Sequence, residues 1–410
     1  MNTSYRLLMA ACGAALCALP AAAAPLSLDA ARTLALTRAP QLMALDSGRQ
    51  AQEQDAIAAG QWPDPKIKLG EEKLPINNFR ANDQTMDVIG IEQMIPGGRK
   101  AELAAQNNRL TAEKMRSDGA GMQLTIRRDA GLAWLDAVYP RMVLKLLSQQ
   151  LAALDRRAAA QRLALAAGRA GLADNEAVAR SRLLLSDRIA ATRADQARAD
   201  AQAERWFGPV ELPDTLPQLP PPPPLTVLDG RLARHPALET LQKSAAIADN
   251  AVQLAREAKK PDWDLELDYG RARSPGMPNT LTAMVSFNVP ILSSQRQDRQ
   301  YQARTLDAAA AESMREASWR ELRAGLFSAY SDWQSLSSRL QLLEPALSAR
   351  ASLLVKSNLA GYANGSATLA QVQEARENAL DDAMKLLDMR YQRERARLVL
   401  DYYDTTASGR

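Results

Sequence analysis

The sequence has 410 residues, with 51 Lys and Arg against 47 Asp and Glu, and its net charge of +4 is spread along the chain without a basic patch. That distribution argues against a nucleic-acid partner. Aromatic residues are only 5% while alanine, leucine, arginine and glutamine dominate, the composition of long helices rather than of a mixed globular core.

Met1 to Ala24 has the form of an export signal. Arg6 stands in a short n-region, an apolar run extends from Leu7 to Leu19, and Ala21 to Ala24 suit a small-residue cleavage rule. Cys12 and Cys17, the two cysteines, both lie inside it, so the mature chain is expected to have no disulfide and no thiol chemistry despite an oxidising compartment. Neither is preceded by a lipobox, and no lipid anchor is expected. No later stretch reaches the roughly 18 consecutive apolar residues of a membrane helix.

Downstream, one unit occurs twice. Ala39-Pro40 recurs as His235-Pro236, an offset of 196. Trp62-Pro63-Asp64 is echoed by Pro261-Asp262-Trp263, Ile95-Pro96 by Val289-Pro290, and Ala167 to Gly171 by Ala360 to Gly365, in the same order. The expected organisation is a signal peptide at 1–24, a first repeat at 25–208, a proline-rich linker at 209–224 and a second repeat at 225–410. Five consecutive prolines end the linker and make it a stiff extended crossover.

Each repeat opens with helical periodicity, Ser27 to about Gly60 and Thr226 to about Lys260. Two strands follow, then very long helices over Arg99 to Ala167 and Ser294 to Ala360, interrupted only by Pro140 and Pro345. After a glycine turn each repeat returns by another helix, Asp174 to Phe207 and Thr368 to about Tyr403. Helices of that length need coiled-coil neighbours. A solvent-exposed periplasmic coiled-coil scaffold without a pore is one reading, and the strands weigh against it.

Trp263, Leu265, Leu267 and Tyr269 fall on one face of a strand, and Asp264, Glu266 and Asp268 on the other. In its partner, Leu281, Ala283, Val285, Phe287 and Val289 oppose Thr280, Thr282, Ser286 and Asn288, with Met284 out of pattern. The first hairpin is less clean: Lys66 to Leu69 alternates, as do Ile89, Ile91 and Ile95, but Gln93 breaks the apolar face. This is the dyad pattern of a membrane β-barrel. A half-buried soluble sheet gives the same alternation, and two hairpins in equivalent repeat positions of an exported chain favour the barrel. Four strands do not close a barrel, which needs about eight, so an oligomer sharing one barrel is expected.

These segments resemble the TolC-like outer-membrane efflux family. The likeness lies in Leu28 to Pro40, Gln61-Trp62-Pro63-Asp64-Pro65, Ile95-Pro96-Gly97-Gly98-Arg99-Lys100, and Gly361-Tyr362-x2-Gly365-x5-Gln371-x2-Glu374. The stretch from Asp64 to Pro75 is most similar to the heavy-metal branch of CzcC-like and CusC-like channels. The resemblance implies a mainly α fold with a small β part. Tandem long α-helical hairpins would build an α-barrel, and four transmembrane β-strands per chain would contribute to a twelve-stranded β-barrel in a homotrimer. Implied partners are a periplasmic adaptor protein, an inner-membrane RND-type pump and outer-membrane lipid. The implied function is the outer-membrane exit duct of a tripartite efflux system for heavy-metal cations, with drug or type I protein export as the alternative.

The glycine turns, with Gly168, Gly171, Gly361, Tyr362 and Gly365, are expected to form the periplasmic tip that meets the adaptor. The resemblance places Glu374, Gln371 and, more loosely, Glu176 near the constriction; the plain alternative for Glu374 is a solvated helix charge beside Arg376. Asp264, Glu266 and Asp268 would line the barrel lumen and favour cations, or serve as ordinary solvated lumen residues. His235, the only histidine, is expected to be structural. No cluster of His, Cys or carboxylates has metal-ligand spacing, and Gly-x-Ser-x-Gly, a phosphate loop and His-Glu-x-x-His are missing, so no metal site, cofactor or enzymatic activity is expected.

Overall fold

A computed structural model describes residues 25–77, 79, 81–168 and 171–406; the export signal lies outside the described residues. The chain runs α1 (Leu28–Thr37), α2 (Pro40–Ala59), β1 (Lys66–Glu72), β2 (Met86–Ile95), α3 (Lys100–Ala166) and α4 (Leu172–Phe207). The same order then returns as α5 (Leu225–Leu232), α6 (Pro236–Glu257), β3 (Trp263–Ala272), β4 (Thr280–Phe287), α7 (Gln297–Ala363) and α8 (Leu369–Leu400).

The opening helix of each half is two helices where one periodic stretch was expected. Proline has no N–H and pushes the preceding residue out of the helical region. Ala39 and His235 are accordingly extended, and Pro40 and Pro236 each begin a new helix at its first position. The opposite correction holds inside the long helices. Pro140 and Pro345 do not interrupt them: α3 and α7 each run unbroken for 67 residues. An internal proline costs about 3 kcal/mol, and packing along both flanks outweighs it.

The core lies where the short helices cross the long ones. Leu28, Ala31 and Ala35 of α1 pack with Ala130, Trp134, Leu135 and Val138 of α3, together with Phe207 and Leu398. Trp134 Nε1 donates to Leu26 O at 2.8 Å. The second half repeats the device with Leu228 and Leu232 of α5 against Leu326 of α7 and Leu400 of α8. Alanine at these crossings lets helix axes approach closely, and each buried leucine contributes about 1.5–3 kcal/mol. The prolines ending the linker connect the halves, with Pro224 at φ −52° and ψ 145° just before α5.

The two hairpins form one antiparallel sheet in the order β1-β2-β3-β4, so β1 and β4 are its edges. Register sets Ile67, Ile91, Leu267 and Ala283 in one row and Lys66, Glu92, Glu266 and Met284 in the next. Among the described residues no helix is long and apolar enough to cross a membrane.

Candidate functional site

The sheet is apolar on the face that is bare. Ile67 and Leu69 are 72% and 76% exposed, and Leu265, Leu267, Tyr269, Leu281, Val285 and Phe287 stand open beside them. Over β2 and β3 the polar face is the more covered one, with Asp268 only 9% exposed and Glu266 and Asp264 partly shielded, while every position of the edge strand β4 is exposed. A soluble sheet shows the reverse. A bare apolar face backed by a charged one suits a wall between lipid and water.

The polar face carries more than the three carboxylates expected. Lys68 Nζ bridges Glu92 and Glu266 at 2.7 Å each, and Lys66 reaches Glu92 at 2.9 Å. The carboxylate row is therefore partly neutralised. Lys66, Lys68, Glu72, Glu92, Asp264, Glu266 and Asp268 share this face by register, two cations against five anions. Asp268 Oδ1 has no hydrogen-bond partner and lies over Gly90, where any Cβ would stand 1.8 Å from it. Gln93, which interrupts the apolar face, satisfies its amide on Pro63 O and Met94 O at 2.8 Å each.

Where strands meet helices, Asp262 accepts from Gly97 N and Lys100 Nζ, both at 2.7 Å. Burial alone would raise the Asp262 pKa, but these donors hold it below the ordinary carboxylate value. Gly97 has to be glycine: a Cβ there would meet Pro261 O at 1.8 Å.

The far ends of α3 and α7 stop in the same way. Gly168, at φ +69°, donates to Leu165 O at 3.0 Å. Gly365, at φ +78°, donates to Tyr362 O at 3.3 Å while Ser366 N donates to Gly361 O at 2.8 Å. The latter pair is a Schellman stop, which needs a left-handed residue just past the helix. Gly361 and Tyr362 thus lie in the last helical turn, whereas the sequence placed them in the turn itself. A Cβ on Gly361 would sit 2.8 Å from Ala367 Cβ, so glycine lets the chain fold back onto the helix end.

Gln371 has a local task. It is the third residue of α8, and its Oε1 accepts from Thr368 N at 2.8 Å while Thr368 Oγ1 accepts from Gln371 N at 3.3 Å, a capping box. Glu374 and Glu176 are exposed on the second turns of α8 and α4. Gly171 directly precedes α4.

Between tip and sheet, polar bonds tie α3 to the returning helices. Arg157 pairs with Glu377 at 3.0 Å, Gln150 donates to Asp381 at 2.8 Å, and Arg182 of α4 pairs with Asp155 at 2.6 Å. Higher up, Tyr139 and Tyr391 stack with ring centroids 4.1 Å apart. Each donates to the other's helix, Tyr139 to Asp388 at 3.2 Å and Tyr391 to Asp136 at 2.7 Å. Burial, with the facing carboxylate, raises both phenols, Tyr391 to about 12. Sequence reasoning missed this clasp. Its signal is the shared Asp-x-x-Tyr spacing at 136–139 and 388–391. Among the described residues no group of three or more His, Cys, Asp or Glu is placed to hold a metal ion.

Residues 227–403 match the family model of the outer membrane efflux protein. No curated protein matches the sequence. Several solved structures share the fold across 92% of this chain. The channel CusC matches with TM-score 0.75 and 14% identity over 91% of its own length. CmeC of Campylobacter jejuni matches with TM-score 0.77 and 12% identity over 85%. MtrE of Neisseria gonorrhoeae, in its open state, matches with TM-score 0.75 and 14% identity over 88%.

Proposed function

Starting from a chain whose residues 227–403 match the outer membrane efflux protein family and which shares the fold of solved outer-membrane channels across 92% of its length, we propose that it is the exit duct of a tripartite efflux system. Three copies would close their sheets into one twelve-stranded barrel, with the 67-residue helices extending the wall into the periplasm. An adaptor would meet the tip around Gly168, Gly171, Gly361, Tyr362 and Gly365, and an RND-type inner-membrane pump would supply the energy. The observation that carries this reading is the inverted sheet, bare on its apolar face and open at both edges. Edges β1 and β4 have to be paired in lipid, and a second and third copy pair them.

The cargo we propose is heavy-metal cations. Five carboxylates against two lysines leave each copy's lumen face at −3, and the total over three copies attracts cations. Glu374 and Glu176 would add carboxylates near the constriction. Deleting the gene and testing tolerance to copper, silver, zinc and cobalt beside common drugs decides the cargo. Sensitivity to metals supports this reading; unchanged metal tolerance with drug sensitivity replaces it with a drug duct. An unboiled gel showing a trimer from outer-membrane fractions tests the duct itself, and a soluble monomer would sink it.

A further inference from the structure

The apolar face of the sheet is too short for the membrane it would cross. Its outermost apolar row is Leu69, Ile89, Tyr269 and Leu281; the next positions outward are Glu71, Asp87 and Arg271. Arg273 closes that end by pairing with Glu71 and Asp87, a charged boundary that stays out of hydrocarbon. The opposite limit is the row of Ile95, Trp263 and Phe287, where the Trp263 and Phe287 rings meet tilted at 43° with centroids 5.0 Å apart. Six residues separate the two rows along β4, about 20 Å at about 3.3 Å per residue. Strands tilted by about 40° convert this to about 15 Å of height, against the roughly 25 Å apolar band of an outer-membrane barrel.

The deficit falls on the helix side of the sheet, and the two repeats differ there. From β2 to α3 the connection is residues 96–99, and its glycines are sealed against Pro261 and Glu257. From β4 to α7 it is residues 288–296, and it is bare: Val289, Ile291 and Leu292 are 61%, 84% and 72% exposed. Val289 continues the alternate positions of the outward row Leu281, Ala283, Val285 and Phe287, and there the chain turns, with Ile291 N donating to Val289 O at 2.9 Å. Carried to Val289, that row reaches about 26 Å along the chain, about 20 Å of height at the same tilt, and the turn adds Ile291 and Leu292 at its end. Just beyond, exposed Arg296 has no side-chain partner among the described residues, and Lys259 and Lys260 flank the same junction. Aliphatic side chains followed by cations match the order of acyl chain and phosphate in a lipid leaflet.

We propose that the Val289–Leu292 segment is a lipid-docking surface. Its aliphatic side chains enter the acyl layer of the periplasm-facing leaflet, and Arg296 meets phospholipid phosphates. The segment extends the membrane contact of each copy past the end of the barrel. This inference rests on the outer-membrane reading of the sheet, and the test separates the two. In the full chain carrying Cys12→Ala and Cys17→Ala, Ile291→Cys or Leu267→Cys takes a single environment-sensitive fluorophore. The trimer is reconstituted in phosphatidylethanolamine and phosphatidylglycerol vesicles and quenched by doxyl-labelled lipid or by aqueous iodide. The expected result is quenching by doxyl lipid at both positions, with iodide ineffective at 291. Lipid quenching at 267 with iodide quenching at 291 puts the segment in the periplasm and overturns the proposal. Quenching at 267 with neither quencher effective at 291 means a second copy covers the segment, which also overturns it. Loss of lipid quenching at 267 overturns the barrel reading and this inference together. Leu292→Cys gives the same reading should the Ile291 variant fail to assemble.

Discussion

At the scale of single residues, the chain places uncommon backbone and buried polar groups where long helices have to end. Gly365 at φ +78° is one such point. Alanine there is expected to cost about 1 kcal/mol, seen as faster hydrogen exchange across 361–368 with the rest of α7 unchanged. His235 is another. Fully buried at the start of α6, it accepts from Ala237 N on Nδ1 at 3.2 Å and contacts Tyr402 O through Nε2 at 3.0 Å. Burial holds its pKa below the ordinary histidine value, although the Tyr402 carbonyl pulls the other way. A depressed histidine contributes stability that is present above the unfolded value of about 6.5 and lost as pH falls through the folded value. Thermal stability should therefore fall on acidification below about pH 6.5, and His235→Asn, which keeps a capping acceptor, should flatten that dependence. In the tyrosine clasp, Tyr139→Phe removes one bond to Asp388 and is expected to cost about 1 kcal/mol, measured as a shift in denaturant midpoint.

Among the elements, the sheet and the long helices differ in how much of their role was legible. Alternation along Trp263 to Tyr269 and Leu281 to Phe287 was readable because side-chain direction in a strand follows sequence parity. The counter-charge was not: Lys68 meets Glu266 only through β2, nearly two hundred positions away in sequence. The break at Ala39-Pro40 was visible as a motif, yet the unbroken passage through Pro140 depends on neighbours that periodicity does not name. The glycines were legible as helix stops, but Gln371, expected near a constriction, is bound to Thr368 at its own helix start. Neutralising Lys68 tests the lumen face. Lys68→Gln shifts each copy's face one charge toward negative, so reversal potentials across a salt gradient in planar bilayers should move toward higher cation preference.

For the whole molecule, the proposed duct ties stability to assembly in a bilayer through the sheet's bare apolar face and open edges. Leu267 lies in the middle of the outward face. Leu267→Arg is expected to cost about 2–4 kcal/mol per copy, read as lost heat-resistant trimer, while a substitution of similar size on the exposed helices is tolerated. The clasp between Tyr139 and Tyr391 bears on motion as well. The 27 residues of α3 from there to Ala166 form an arm of about 40 Å, and the stops at Gly168 and Gly365 leave little slack chain at its end. In the proposed duct such an arm would change the aperture by leverage: a swing of about 10° carries its end about 7 Å, more than the width of a water molecule, with every hydrogen bond inside the helix kept. Aperture at the proposed tip would then be a matter of helix inclination rather than of loop refolding.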